Sequence, residues 1–277
     1  MDRPWFRRRR HPATMRCMTS LPSPQQLSAQ ATGAARQVTI EIVAETGSTN
    51  ADLLARTASL TAPVLLVAGT QTAGRGRAGR AWHSAAGTSL TFSLAWKFKR
   101  TLPQLVGLPL AVGVAIAEAL RDYGVEVRLK WPNDVLLDGR KLAGILIEAA
   151  VAPDGVWAVI GIGINLALPQ ALAERMDNPA AALPPLPVTQ TELLAALLNS
   201  LAPVLSEFDV AGIAPFIERW NALHAWRGEP VVVLDQGQTR QRGIAIGVDD
   251  AGRLLLDTAA GQVALLSGDV SLRRAGA

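Results

Sequence analysis

The stretch Gly69–His83 sets the terms for the rest of the chain. It reads Gly-Thr-Gln-Thr-Ala-Gly-Arg-Gly-Arg-Ala-Gly-Arg-Ala-Trp-His, with Gly74, Gly76 and Gly79 interleaved with Arg75, Arg77 and Arg80. Glycine admits positive φ and lets the backbone approach a ligand closely. Exposed N–H groups in such a loop form an anion-binding concavity. Three guanidiniums add fixed charge and planar donors suited to carboxylate and phosphate. The apolar run Pro63–Gly69 before the loop reads as the buried strand that delivers it. From these residues alone, an anion site competes with a plain surface loop or an Arg/Gly contact to RNA. The Gly-Lys-Ser/Thr ending of a P-loop is missing, and so is the Gly-x-Gly-x-x-Gly spacing of a dinucleotide site.

A second stretch decides between these readings. Residues 130–148 read Lys-Trp-Pro-Asn-Asp-Val-Leu-Leu-Asp-Gly-Arg-Lys-Leu-Ala-Gly-Ile-Leu-Ile-Glu. An Arg/Gly loop, then Lys-Trp-Pro-Asn-Asp, then Lys-Leu-Ala-Gly-Ile-Leu-Ile-Glu, in that order, resembles the biotin–protein ligases. The resemblance extends from about Thr46 to the C-terminus. The pentapeptide Lys130–Asp134 also separates the chain from the related lipoate ligases, which share the fold.

The resemblance implies an α+β fold. A central mixed sheet with flanking helices, like that of class II synthetases, would be followed by a small SH3-like C-terminal barrel. It implies a biotin–[biotin carboxyl-carrier protein] ligase using biotin and ATP with Mg²⁺. Biotin's carboxylate would attack the α-phosphate to give biotinyl-5′-AMP, and a lysine of the carrier domain would then take the biotinyl group. Residue by residue, Ser48, Thr49, Asn50 and Gln71 match biotin-binding positions. Arg75, Gly76 and Arg77 match the loop over the carboxylate and the new phosphate, and Lys141 matches the lysine that reaches both. Lys141, Arg75 and Arg77 are thus the implied catalytic cations. Arg77, Arg80, Lys130, Asn133 and Asn165 match nucleotide contacts, Asp134 the Mg²⁺-linked carboxylate, and Trp82 packing against the closed loop.

Each position also has a plainer reading. Ser48 or Thr49 could cap a helix, Asp134 a turn, Lys130 could hold an ion pair, Trp131 could be core, and Asn165 could end a strand. The chain has 23 Arg but only Lys97, Lys99, Lys130 and Lys141 as lysines, two of them in the motif segment. Arginine and lysine are not interchangeable where a compact charge is needed, so that placement points to specific sites.

Composition narrows the partners. The net charge of +4 arises at the start of the chain. Residues 1–16 hold six Arg against Asp2, and the remainder carries 21 basic against 22 acidic side chains, so no body-wide nucleic-acid footprint follows. The single cysteine, Cys17, permits no intrachain disulfide and no Cys-based zinc site, and fits a cytoplasmic protein. His11, His83 and His224 have no ligand spacing. No unbroken apolar run reaches the roughly 18 residues of a membrane span. Residues 1–37 read as a disordered Arg/Pro-rich extension without a helix-turn-helix, so no specific nucleic acid is expected as a partner. Residues 38–227 read as the catalytic unit and 228–277 as the barrel.

Periodicity predicts strands over Val38–Ala44, Pro63–Gly69, Thr88–Trp96, Val125–Leu129 and Val156–Ile164. A hairpin is expected from Val135–Leu137 through the Asp138-Gly139 turn to Lys141–Val151. Helices are expected at Ala51–Ala58, Leu102–Tyr123, Glu192–Phe208 and Ile213–His224. Four short strands follow, at Glu229–Leu234, Arg240–Val248, Arg253–Asp257 and Gln262–Leu266.

Overall fold

The computed structural model describes residues 21–83, 86–170, 179–235, 238–267 and 270–275; Cys17, His11 and the first six arginines lie outside them. The expected α+β class holds. A seven-stranded mixed sheet runs in the order β1-β2-β3-β7-β6-β5-β4, and a separate five-stranded sheet in the order β11-β10-β9-β8-β12. The first sheet comprises β1 (Thr39–Thr46), β2 (Val64–Gln71), β3 (Ser89–Phe98), β4 (Arg128–Lys130), β5 (Asp134–Leu137), β6 (Arg140–Ala152) and β7 (Gly155–Asn165). Only β1 and β2 pair in parallel; every other pairing is antiparallel.

The sheet is two-faced because side chains alternate along each strand. Leu65 and Val67 of β2, Leu90, Phe92 and Leu94 of β3, and Ile160 and Ile162 of β7 join the main core. That core is filled by α3 (Leu108–Arg121) and α4 (Gln190–Ala211). Val64, Leu66, Ala95, Trp157 and Val159 point the other way and pack on Leu53 of α2 (Thr49–Arg56). α2 is two turns long and covers only part of its face. The segment Leu102–Arg121 and α4 have mean hydropathies of 1.6 and 1.4, high enough for a membrane span by composition, but both are mostly buried core elements here.

Two expectations are corrected. The helix predicted over Leu102–Tyr123 breaks into a 3₁₀ turn at Leu102–Leu105 and α3, because Gly107 adopts φ +88 between them. Its missing side chain matters as well, since an added Cβ would lie 2.9 Å from Ile213. The disordered extension predicted over 1–37 fails from α1 (Pro24–Gln30) onward. Ser23 caps that helix, and Leu27, Ala31 and Ala35 are buried in the main core. Asn199 of α4 accepts from Thr32 N at 2.8 Å and donates to Gln30 O at 2.9 Å. The apolar positions 27, 31 and 35 are sparse and two are alanine, so their stripe has meaning only against α4.

After α5 (Ile217–Leu223) the chain enters the second sheet. Its strands are β8 (Pro230–Asp235), β9 (Gln238–Val248), β10 (Leu254–Thr258), β11 (Gly261–Leu265) and β12 (Val270–Arg274), the last not foreseen. All pairings are antiparallel, consistent with an SH3-like unit. Its apolar residues Val231, Val233, Leu254 and Leu272 belong to the same core as α3 and α4. Asn221 of α5 accepts from Val248 N at 2.8 Å, and Trp131 Nε1 donates to Gly252 O at 3.3 Å. His224 sits in this seam, 5% exposed and stacked on Trp220 at 4.7 Å, with neither ring nitrogen hydrogen-bonded. Burial first, then the Arg227 charge, lowers its pKa to about 4, with Glu229 opposing.

Two outcomes follow from these packings. Leu27→Ala should cost about 3 kcal/mol in urea unfolding, as for other fully buried leucines; a loss below 1 kcal/mol would place residues 23–37 outside the cooperative unit. His224 has a folded pKa below its ordinary value, so the unfolded chain binds its proton first and stability falls with pH. The loss sets in below pH 6.5 and runs down to about 4. Its full size is up to about 3 kcal/mol at 1.36 kcal/mol per pH unit. His224→Phe should flatten the stability profile over that window relative to the parent; parallel profiles would refute the assignment.

Candidate active site

The uncovered part of the α2 face forms a cavity of about 500 Å³. Its floor comes from the same alternation that builds the core. Thr91 and Ser93 lie between the core-facing residues of β3, and Gly161 and Gly163 between those of β7. Register sets Ser93 beside Gly161, Thr91 beside Gly163, and Gly163 beside Gly144 of β6. The glycines are there for space. A Cβ at Gly161 would fall 2.3 Å from Asn50 Oδ1, and one at Gly163 2.4 Å from the Trp82 indole. The apolar strand expected over Val156–Ile164 thus carries two glycines that make room for Asn50 and Trp82, which its periodicity does not show.

One end of the cavity is buried, polar and uncharged. Ser48 caps α2, its Oγ accepting from Ala51 N at 3.4 Å, so the capping reading holds. α2 then presents Thr49 and Asn50 inward, both buried. Gln71, at the end of β2, accepts from Thr49 N at 2.8 Å and from Thr49 Oγ1 at 3.0 Å. Ser93 Oγ lies 2.6 Å from Thr49 Oγ1 and donates to Asn50 Oδ1 at 2.6 Å. Ser93 was not singled out from sequence, although Thr-Phe-Ser at 91–93 carries the signal of small polar residues alternating with core ones.

The other end is cationic. Lys130 ends β4, Asp134 begins β5, and Lys141 lies next to the start of β6. The hairpin brings both lysines onto one carboxylate, Lys130 at 3.2 Å from Oδ2 and Lys141 at 2.6 Å from Oδ1. Burial alone would push the Asp134 carboxyl up, but the Lys141 and Lys130 charges outweigh it and hold it below its ordinary range. Burial lowers the Lys130 ammonium, against the pull of Asp134. Lys130 also lies 5.3 Å over the Trp226 ring. The plainer reading of Lys130 as an ion-paired lysine therefore holds, and so does that of Trp131 as core. The backbone of Lys141 is fixed from two sides, its carbonyl accepting from Ala181 N at 2.8 Å and from Asn165 Nδ2 at 3.3 Å. Asn165 thus acts here as a strut beneath Lys141.

The Arg/Gly loop folds over the cavity as a small hairpin. Arg75 bridges Ala81, and Gly76 N donates to Arg80 O at 2.7 Å. The tip has Ala78 and Gly79 at φ 53 and 69. The arginines diverge. Arg77 donates to Asn133 Oδ1 at 3.1 Å, and Asn133 in turn donates to Ile145 O at 2.6 Å. Arg75 lies 2.8 Å from Glu148 of β6, while Arg80 lines the cavity. Trp82 lies across the Gly144 and Gly163 floor. From the second sheet, Arg273 and Arg274 of β12 also reach the cavity wall, and no sequence signal marked them.

No cluster of three or more His, Cys, Asp or Glu side chains suited to a metal occurs among the described residues. Both oxygens of Asp134 are already on ammonium groups. Asp134 is the counter-charge that sets the two lysines. Asp134→Asn should therefore leave the buried Lys130 ammonium and the partly exposed Lys141 ammonium without their counter-charge and cost about 3 kcal/mol at neutral pH. Urea unfolding of parent and variant measures it; a cost under 1 kcal/mol would mean the lysines relax into solvent.

Comparison with known proteins agrees with this geometry. Residues 42–165 match the model of the biotin/lipoate A/B protein ligase family, and residues 228–273 match the biotin protein ligase C-terminal domain. The bifunctional ligase/repressor BirA of Escherichia coli is 35% identical over 262 residues, covering 92% of this chain and 81% of the relative. The biotin–[acetyl-CoA-carboxylase] ligase of Mycobacterium tuberculosis is 37% identical, covering 83% of this chain and 88% of the relative. Among solved structures, the biotin protein ligase of Aquifex aeolicus in complex with biotin and ATP superposes with a TM-score of 0.71 at 30% identity, covering 85% of this chain and 99% of that one. By its matched regions, its relatives and its fold, the chain belongs to the biotin protein ligases.

Proposed function

We propose that this protein activates biotin with ATP as biotinyl-5′-AMP and passes the biotinyl group to a lysine of a biotin carboxyl carrier protein. The observation that carries the reading is the polarity of the cavity. A ligand with a neutral hydrogen-bonding head and a carboxylate tail matches a buried uncharged end and a lysine-rich end in one 500 Å³ space. In the first step a biotin carboxylate oxygen forms a bond to the α-phosphorus. The bond from that phosphorus to the bridging oxygen breaks, and pyrophosphate leaves. In the second step the carrier ε-amine attacks the acyl carbon, the bond to AMP breaks, and the amine proton passes to solvent.

Both anions of the first step must be held together against repulsion, so positioning and fixed charge are the work asked of the protein. In this proposal Ser48, Thr49, Asn50 and Gln71 hold the ureido head. Lys141 bridges the carboxylate and the α-phosphate, with its ammonium set by Asp134. Arg77, Arg80, Lys130, Asn133 and Asn165 serve the nucleotide, and Gly76 lets the loop backbone close on the adenylate. Magnesium belongs to the substrate as MgATP, carried by its phosphates. The catalytic unit takes in residues 23–37 with 38–227, residues 228–277 form the C-terminal unit, and the reaction is placed in the cytoplasm. A lipoyl ligand suits the cavity less well. Its dithiolane has no hydrogen-bonding group to offer the polar end lined by Thr49, Gln71 and Ser93.

ATP-dependent transfer of labelled biotin to a purified carrier domain, with lipoate as competitor, tests the reading; transfer of lipoate instead would overturn it. Lys141→Arg keeps the charge but cannot place it at the same point. Adenylation, read as pyrophosphate release, should slow by on the order of a hundredfold, as for loss of one transition-state donor. Transfer from added biotinyl-AMP should suffer less. Equal loss in both steps would indicate a folding defect, and no loss would return Lys141 to a surface role.

A further inference from the structure

The arginines of the loop divide between the two ends of the cavity. Arg77 goes to Asn133, on the cationic side. Arg75 goes to Glu148, a half-buried carboxylate on β6 that ends the Lys-Leu-Ala-Gly-Ile-Leu-Ile-Glu stretch and was given no role from sequence. Glu148 Oε2 accepts from Arg75 Nη2 at 2.8 Å and from Asn50 Nδ2 at 2.9 Å. Asn50 Nδ2 also reaches Leu146 O at 3.2 Å. With two acceptors on that side, the amide must turn its oxygen inward, where it accepts from Ser93. Ser93 meets Thr49, and Thr49 meets Gln71. A continuous hydrogen-bonded chain therefore runs from the buried polar end, through Asn50 and Glu148, to the guanidinium of the lid.

We propose that Glu148 is a positioning residue: it orients Asn50 on one side and on the other latches Arg75, and with it the loop hairpin Gly74–Trp82, over the polar end of the cavity. Arg75 is then the catch of a lid, and not a charge acting on the reacting atoms. The inference rests on the functional reading above for the identity of what the lid retains. The latch itself rests on the contacts of Glu148 with Arg75 and Asn50. The side chains of Arg75 and Glu148 are 45% and 25% exposed, so solvent screens the pair and the effect of losing it is several-fold, up to about tenfold.

The test compares the parent with Glu148→Ala, Arg75→Gln and the double variant, each first checked for an unchanged thermal unfolding transition. In the ligand-free proteins, tryptic cleavage after Arg77 and Arg80 should be several-fold faster in all three variants than in the parent. Bound biotinyl-AMP should dissociate about tenfold faster in each, with no further loss in the double variant. At saturating biotin and ATP, single-turnover pyrophosphate release in Glu148→Ala should stay within about twofold of the parent. The defect should fall instead on the apparent KM for biotin. A release rate lowered in Arg75→Gln but not in Glu148→Ala would make Arg75 a catalytic cation and overturn the proposal, as would additive losses in the double variant or unchanged proteolysis. If Glu148→Ala does not fold, Glu148→Gln keeps an acceptor for Asn50 and removes only the charge. It should then show faster cleavage with a smaller change in KM. A parent that forms no adenylate would defeat the functional reading, while the proteolysis comparison would still decide the latch.

Discussion

The structure depends on one constraint: β3, β7 and β6 must satisfy two different neighbours with alternate residues. One set faces α3 and α4 and is large and apolar, as with Phe92, Leu94, Ile160 and Ile162. The other set begins apolar under α2, with Ala95, Trp157 and Val159, and turns small or polar where that helix ends. A sheet closed on both faces by long helices would leave no room for a ligand. Here the short α2 ends over the sheet, and Gly144, Gly161 and Gly163 leave room for the cavity-lining side chains of Lys141, Asn50 and Trp82. The same strands therefore anchor the fold and supply the cavity floor, so the floor is as rigid as the core beneath it.

Electrostatics then divides the cavity. The neutral end is a hydrogen-bond network among Thr49, Asn50, Gln71 and Ser93, which a charged head would disrupt. The opposite end concentrates positive charge around Asp134. Two ammonium groups could not share that space unscreened. The carboxylate between them keeps Lys130 and Lys141 in place and leaves net positive charge for an anion. The second sheet takes part in this arrangement, because Trp226 sits under Lys130 while Arg273 and Arg274 close the wall. Its attachment through Trp131, Asn221 and the seam at His224 is therefore part of how the site is built.

Much of this was legible in the residues. The order of an Arg/Gly loop, Lys-Trp-Pro-Asn-Asp and Lys-Leu-Ala-Gly-Ile-Leu-Ile-Glu pointed to the family and to the α+β class, because backbone approach and fixed charge demand those residue types. Strand periodicity found most of the sheet, and the Asp138-Gly139 turn marked the hairpin that carries Lys141. Local signals failed where the partner is remote. Leu27, Ala31 and Ala35 form no convincing stripe until α4 lies beside them. The break at Gly107 is set by Ile213, more than a hundred residues later in the chain.

What the sequence determined by itself was therefore the chemistry at hand: which side chains carry charge, which glycines free the backbone, and which runs must be buried. These are properties of single residues and their near neighbours. Only the tertiary structure decided where each charge was used. Asp134 carries one charge by sequence, and the fold sets that charge between Lys130 and Lys141. Arg75 and Arg77 are two positions apart and equivalent on paper, yet one reaches Glu148 and the other Asn133. Such assignments depend on distances between strands that meet through the whole fold, and no local pattern encodes them.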